Sequence, residues 1–433
     1  MKKINEETIK KHQKTNRKLL VLYRMLASDL LFYYTISYLF LSSAKGLSTA
    51  QIVFGESFYP FFKLILQLPC TILVQKIGKR NSLIVANTSL SIFLFLTITL
   101  SNPLTLIVAN FFCAIAYVIK GISEANLLYD SIENTENKRD LFSKYEGNSS
   151  AIFYLFDAIT AFSTGFLFAI NPYFPLILSL LIVIITVILS CCLKEIPVID
   201  DLDHNSNVQK EITNYKEDLK SAFKFIFKSA RLRALIFYDA LFVALISIMV
   251  TLRNSILTDL NVPAEHFGII FAILGIASCL LTRKSLAFHN FFKNNTLTFL
   301  GISLTLSIFI TGFIVLIDIP ASVMFPILLA MFAIQCTFEG PFYTLIKRYL
   351  SSFCDSNLRI KITSAATLTE SLTYGVVSMA SAFILRYISN ASMTLILGGI
   401  STFIMIILTN YMITRVGLKP EEYSKKDINF NSN

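Results

Sequence analysis

Apolar runs of about 20 residues recur along the whole 433-residue chain, each long enough to cross the hydrocarbon core of a bilayer. This pattern permits few folds. Backbone groups in hydrocarbon must bond within their own segment, so runs of this length are read as α-helices. Twelve spans are expected, near 19–43, 51–75, 81–100, 103–129, 148–170, 173–193, 232–257, 264–285, 295–317, 321–348, 361–386 and 391–414. The breaks carry turn residues: "SNP" at 101, "NPYFP" at 171, "NVP" at 261 and "DIP" at 318. Composition agrees. The chain is 54% hydrophobic and 15% charged, whereas a soluble chain carries roughly a quarter charged residues. The stretch through Lys18 is polar and basic and lacks a small-residue cleavage site, so the mature chain is expected to start near Met1.

All but six of the 38 Lys and Arg residues fall in one alternate set of connections and the two tails. Of the six, Arg24, Lys63, Lys120 and Arg253 lie within spans, and Lys45 and Arg386 sit at the opposite face. The asymmetry places both termini and the long middle connection in the cytoplasm. The net charge of +10 is thus a topology signal and implies no nucleic-acid partner. The Lys-, Asn- and Ile-rich style with no Trp suggests an AT-rich bacterium, and the expected location is the bacterial cytoplasmic (inner) membrane.

Two short segments carry more than hydropathy. "QLPCTILVQKIGKRNSL" holds the turn between spans two and three. Gly78 permits a tight turn, and Lys76, Lys79 and Arg80 face anionic headgroups. The segment resembles the loop 2–3 signature of the major facilitator superfamily, with Thr71 at the family's first glycine and Gln75 at its aspartate. The resemblance implies a gating contact for Gln75, Lys76, Gly78, Lys79 and Arg80; Gln75 can supply hydrogen bonds there but no charge. "KGISEANLLYDSI", Lys120 to Ile132, resembles the end of span four in a drug-exporter-like bacterial branch, and "YRMLASDLLFYY" in span one has a similar flavour. The implied fold is all-α, with 12 transmembrane helices in two pseudo-symmetric six-helix bundles.

The bundles are expected at 1–196 and 231–433, joined by a cytoplasmic linker at 197–230. Internal repetition is weak but visible: "GLSTAQIVFG" before span two parallels "LNVPAEHFGI" before span eight. In the linker, Lys216, Lys220, Lys224 and Lys228 recur every four residues beside Phe223, Phe225 and Phe227, a pattern for a helix lying on the membrane surface.

Charges within spans cost roughly 2.5–3.5 kcal/mol or more at mid-bilayer, so each must face protein or water. They are Arg24 and Asp29 in span one, Glu56 and Lys63 in two, Lys120 and Glu124 in four, Asp157 in five, Asp239 and Arg253 in seven, Glu339 in ten and Glu370 in eleven. Spans three, six, nine and twelve have none in their interiors. Those are the lipid-facing helices of the fold that the resemblance implies, while helices 1, 4, 7 and 10 line its cavity. Asp29, Lys120, Glu124, Asp157, Asp239 and Glu339 are therefore the leading proton or substrate residues. Arg24, Glu56, Arg253, Glu370, Tyr33 and Tyr34 are secondary. A plain structural reading is open for each, such as an ion pair of Lys120 with Glu124 at i, i+4 or with Glu339 across the halves.

Acids outnumber bases in the spans, and Phe32, Tyr33, Tyr34, Tyr38, Phe58, Tyr59 and Tyr154 lie near them. That combination suits a lipophilic cation, although aromatics also pack helices and anchor interfaces. The expected activity is proton-coupled export of amphiphilic or cationic small molecules by alternating access. A proton-coupled nutrient importer and a transporter-like receptor or immunity protein remain alternatives. Span five lacks the Gly-Pro ending common in antiporters of the superfamily; Ala158, Ala161, Ser163 and Gly165 would instead allow close packing. The seven Cys and four His show no metal spacing, and neither a Walker loop nor a nucleophile triad is present. The expectation is a monomer with no enzyme activity, no cofactor beyond the proton gradient, and only a small-molecule substrate and lipid as partners.

Overall fold

The computed structural model describes residues 6–133, 138–196, 227, 230–292, 295–317, 319–352 and 356–416. The expected linker helix falls almost wholly outside them. Among the described residues the regular elements are all helical. In chain order they are α1 (Glu6–Ala27), α2 (Ser37–Leu39) running into a π-helical turn (Phe40–Ala44), α3 (Thr49–Ile77), α4 (Lys79–Ile98), α5 (Pro103–Asp130), α6 (Lys138–Ile170) and α7 (Phe174–Cys192). The second half has α8 (Ala230–Asp259), α9 (Ala264–Arg283), α10 (Ser285–Phe292), α11 (Thr296–Leu316), α12 (Ala321–Thr337), α13 (Glu339–Ser352), α14 (Ser356–Ile384) and α15 (Asn390–Val416).

Ten helical stretches among the described residues are long and apolar enough to cross a membrane, with Ala321–Ile346 counted as one across the break at Phe338. Two of the twelve expected spans fall outside that set. Helix α14 is 29 residues long, but its Ser- and Thr-rich stretch is too polar. Span one is not continuous. Helix α1 stops at Ala27, residues 28–36 are non-helical, and Phe32 sits in the left-handed region at φ 63°. The cause is local. Ser28 Oγ donates to the Arg24 carbonyl at 2.6 Å, and Asp29 Oδ1 accepts the Leu30 N–H at 2.9 Å. Such side-chain bonds compete with the helical ladder.

By internal packing the chain divides into two units. The first comprises Met1–Leu47, Phe58–Ile212 and Pro263–Ile269; the second comprises Ser48–Ser57, Thr213–Val262 and Ile270–Asn433. In the first, α6 and the start of α9 cross with their backbones nearly touching. A Cβ on Gly165 would lie 2.4 Å from the Ala264 carbonyl oxygen, and one on Gly268 would lie 2.6 Å from that of Ala161. Only glycine tolerates that approach. Leu20, Tyr23, Leu83, Leu127 and Leu193 form a buried cluster that fixes α1 against α4 and α5. Outward, α6 and α7 present Leu155, Ile170, Leu181 and Ile188, the surface expected of helices against lipid.

In the second unit the first turns of α3 pack into the core. Ala50 and Val53 join Phe242, Leu245, Phe342 and Ile346, and Phe54 meets Phe383 edge to face. The Phe242 and Phe342 rings stack with centroids 3.6 Å apart.

Candidate functional site

The break in span one creates the site. The Ala27 carbonyl, freed where α1 ends, accepts the ammonium of Lys120 from α5. Lys120 is only 4% exposed. Its Nζ also lies 3.6 Å from Glu124 Oε1, one helical turn on, and 5.7 Å from the Tyr117 ring centroid. The i, i+4 pair therefore forms as the spacing suggested. Tyr117, one turn before Lys120, donates its hydroxyl hydrogen to Asp29 Oδ1. The Tyr34 and Tyr117 hydroxyls are 3.0 Å apart. Asp29, Tyr34, Tyr117, Lys120 and Glu124 thus form one network between the broken segment and α5. The Asp29 and Asp157 carboxylates lie in each other's field, which brings α6 to the same place.

A second layer holds this network. Tyr23 is fully buried and donates to Glu124 Oε1 at 3.1 Å. Asn87 of α4 donates to the Tyr23 hydroxyl at 3.0 Å and to Ser190 Oγ of α7 at 2.8 Å. Arg24 forms a two-pronged ion pair with Glu146, one prong at 2.7 Å. A cavity of about 240 Å³ opens beside these groups, lined by Arg24, Ser28, Tyr117, Lys120, Gly121, Glu124 and Ala125. It offers cationic, anionic and hydroxyl groups on one wall.

Sequence reasoning missed Tyr23, Asn87, Tyr117 and Glu146. The apolar pattern leaves Glu146 in a connection, yet α6 begins at Lys138, ten residues before the expected start at 148. The signal available was Arg24 itself, since an arginine within a span demands a counter-charge. Asn87 and Tyr23 are uncharged, and polar residues of that kind do not stand out in an apolar run. Tyr33 packs edge to face on Tyr34 and Phe93, with centroids 5.2 and 5.4 Å away. Lys63 lies over the Tyr59 ring at 5.5 Å.

The second unit gathers its own set. Arg253, 5% exposed on α8, reaches Gln335 Oε1 at 3.5 Å, and its field acts on Glu339 at the start of α13. Asp239, Glu339 and Glu370, from three helices, all act on the Tyr343 hydroxyl. Glu56 stands apart from these: its carboxylate accepts the Thr251 hydroxyl at 2.7 Å, and Tyr374 lies in its field.

The turn between α3 and α4 works within the first unit. Gly78 takes φ 84°, and Lys79 pairs with Asp130 at the end of α5. The Glu195 carboxylate accepts the Lys79 and Arg80 backbone N–H groups at 2.9 and 2.7 Å, capping α4. Arg80 donates to the Cys191 carbonyl at 2.7 Å. Gln75 and Lys76 are exposed.

A family model for the Major Facilitator Superfamily matches residues 20–325. The chain belongs to the major facilitator superfamily. Its all-helical architecture, with ten stretches long and apolar enough to cross a membrane among the described residues, fits that family. A curated relative, the uncharacterised MFS-type transporter YxaM of Bacillus subtilis strain 168, is 22% identical over 236 residues. That match covers 54% of this chain and 56% of the relative, so the chain spans about half of that relative's length. Among solved structures, a mutant form of the nucleoside transporter NupG superposes with a TM-score of 0.72 at 13% identity, covering 92% of this chain and 99% of the other. A D-xylose–proton symporter superposes with a TM-score of 0.67 at 10% identity, covering 92% and 97%. At such identities the likeness is one of fold.

Proposed function

We propose that this facilitator exports amine-bearing amphiphilic cations in exchange for protons. The observation that carries the reading is the Asp29–Tyr117–Lys120–Glu124 network beside the cavity in the first unit. Burial favours the neutral form of a carboxylate, and a neighbouring cation favours the charged form. A rocking motion that alters either influence moves a proton with the conformation, and a substrate cation competes for the same acids. Asp29 is the preferred proton carrier and Glu124 the preferred substrate acid. Asp157 supports Asp29, while Asp239, Glu339 and Glu370 with Arg253 supply the counterpart in the second unit. Arg24 anchors Glu146. Glu56 serves a helix contact through Thr251. The loop-motif residues Lys79 and Arg80, with Gly78, hold the turn.

The drug-exporter-like resemblance of "KGISEANLLYDSI" supports the direction. The remaining expectations go with it: two six-helix bundles at 1–196 and 231–433, a monomer, both termini in the cytoplasm, and a bacterial cytoplasmic membrane. The relative from Bacillus subtilis supports the last. A second reading, proton-coupled import of a nutrient, is favoured by the fold likeness to a D-xylose–proton symporter and a nucleoside transporter.

The test uses purified protein in proteoliposomes with an imposed proton gradient and a pH dye inside. Under the export reading, an amphiphilic amine releases protons from an acidic lumen. Proton movement in the opposite sense with a sugar or nucleoside replaces export by import. If neither class moves protons, the transport reading gives way to a binding protein.

A further inference from the structure

Lys120 sits where a foreign cation would be well held. Its ammonium is almost fully buried, and three unlike groups converge on it. The Ala27 carbonyl accepts one N–H at the C-terminal end of α1. The Glu124 carboxylate lies 3.6 Å away, and the Tyr117 ring presents itself at 5.7 Å. A helix C-terminus, a carboxylate and an aromatic ring all favour positive charge. The same Lys120, Glu124 and Tyr117 line the cavity of about 240 Å³, so a ligand in that space reaches the niche directly. Asp29 already lies in the field of Lys120 and offers a second place for its ammonium.

We propose that Lys120 is a built-in stand-in for the transported ion: a substrate ammonium takes the niche of Ala27, Glu124 and Tyr117 and turns Lys120 towards Asp29. The proposal rests on the transport reading above and narrows its substrate class. The Ala27 carbonyl and Glu124 accept N–H bonds, which a quaternary centre cannot donate. The carried compounds are therefore protonated primary and secondary amines. Quaternary ammonium and phosphonium ions retain the ring contact but lose the bonds.

The first experiment is thermal unfolding of Lys120→Ala in detergent with n-butylammonium chloride, against tetramethylammonium chloride at equal concentration. The variant leaves the niche empty. Butylammonium is expected to raise Tm by about 2–4 °C and tetramethylammonium to leave it unchanged. The gain should vanish when Glu124→Gln is added. Equal effects of the two salts, or a gain that survives Glu124→Gln, overturn the proposal.

Should Lys120→Ala fail to fold, wild-type protein is titrated with 2-phenylethylammonium and with its trimethylated analogue. A tenfold or greater preference for the primary amine is expected. Equal binding overturns the niche. The two readings fail separately. Equal proton-coupled export of both ions leaves transport standing and removes the niche. Selective binding of the primary amine without proton movement does the reverse.

Discussion

Neutralising Glu124 strands Lys120. The two side chains are 12% and 4% exposed and 3.6 Å apart. In Glu124→Gln the Tyr23 hydroxyl keeps an oxygen acceptor, but the Lys120 ammonium loses its adjacent carboxylate and keeps the Ala27 carbonyl, the Tyr117 ring and the more distant field of Asp29. Breaking one side of a buried pair costs about 3–5 kcal/mol because an uncompensated charge remains. The surviving Ala27 bond and the adjoining cavity put the cost near the lower end, about 3 kcal/mol. For a folding unit of this size, 1 kcal/mol moves Tm by about 2–4 °C, so Glu124→Gln should unfold roughly 6–12 °C lower. Lys120→Met combined with Glu124→Gln removes the stranded charge and should recover most of that loss. The assay is thermal unfolding in detergent with a thiol-reactive dye, which reads the exposure of buried Cys70 and Cys113. A stabilising Lys120–Glu124 pair is ruled out if Glu124→Gln melts within about 2 °C of wild type. It is equally ruled out if the double variant melts below both single ones.

Other outcomes follow from the same geometry. Gly165→Leu forces a side chain into the Ala264 carbonyl 2.4 Å from the Cβ position, and should cost at least about 1–3 kcal/mol in the same melting assay. Glu195→Ala uncaps α4 and should cost about 1 kcal/mol while leaving substrate affinity unchanged in a binding titration. Glu56→Gln keeps an acceptor for the Thr251 hydroxyl and should transport near the wild-type rate, whereas Glu56→Leu loses that bond and should slow turnover. Tyr117→Phe removes the hydroxyl bound to Asp29 but keeps the ring, so it should shift the pH profile of transport more than substrate affinity.

Much of the architecture was written in hydropathy. Spans two to twelve coincide with helices to within a few residues at most ends, because apolar length and turn residues are local properties. The larger exception there is α6, whose polar first turns from Lys138 precede the apolar run. The break in span one was not legible. It contains neither Pro nor Gly; what marks it in the structure are the bonds of Ser28 to the Arg24 carbonyl and of Asp29 to the Leu30 N–H. The break at Phe338 in span ten was missed although Gly340 and Pro341 follow it closely.

Within the site, Asp29, Lys120 and Glu124 announced themselves because charge in an apolar run is conspicuous. Tyr117, Tyr23 and Asn87 did not, since their roles depend on which face of the helix meets Asp29 and Glu124. Glu195 lay beyond reach for another reason. Its place over the start of α4 depends on where the chain leaves α7, more than 110 residues later.

Asp29 is the proposed proton carrier, and its titration can be followed in transport. Wild-type and Asp29→Asn proteins are reconstituted at equal density, and amine-driven release of luminal protons is followed with an internal pH dye. The amide of the Asp29→Asn variant keeps a hydrogen-bond acceptor for Tyr117 but has no titratable proton. This variant is expected to bind the amine still but to release no protons. Proton release at the wild-type rate would contradict the proton-carrier role of Asp29.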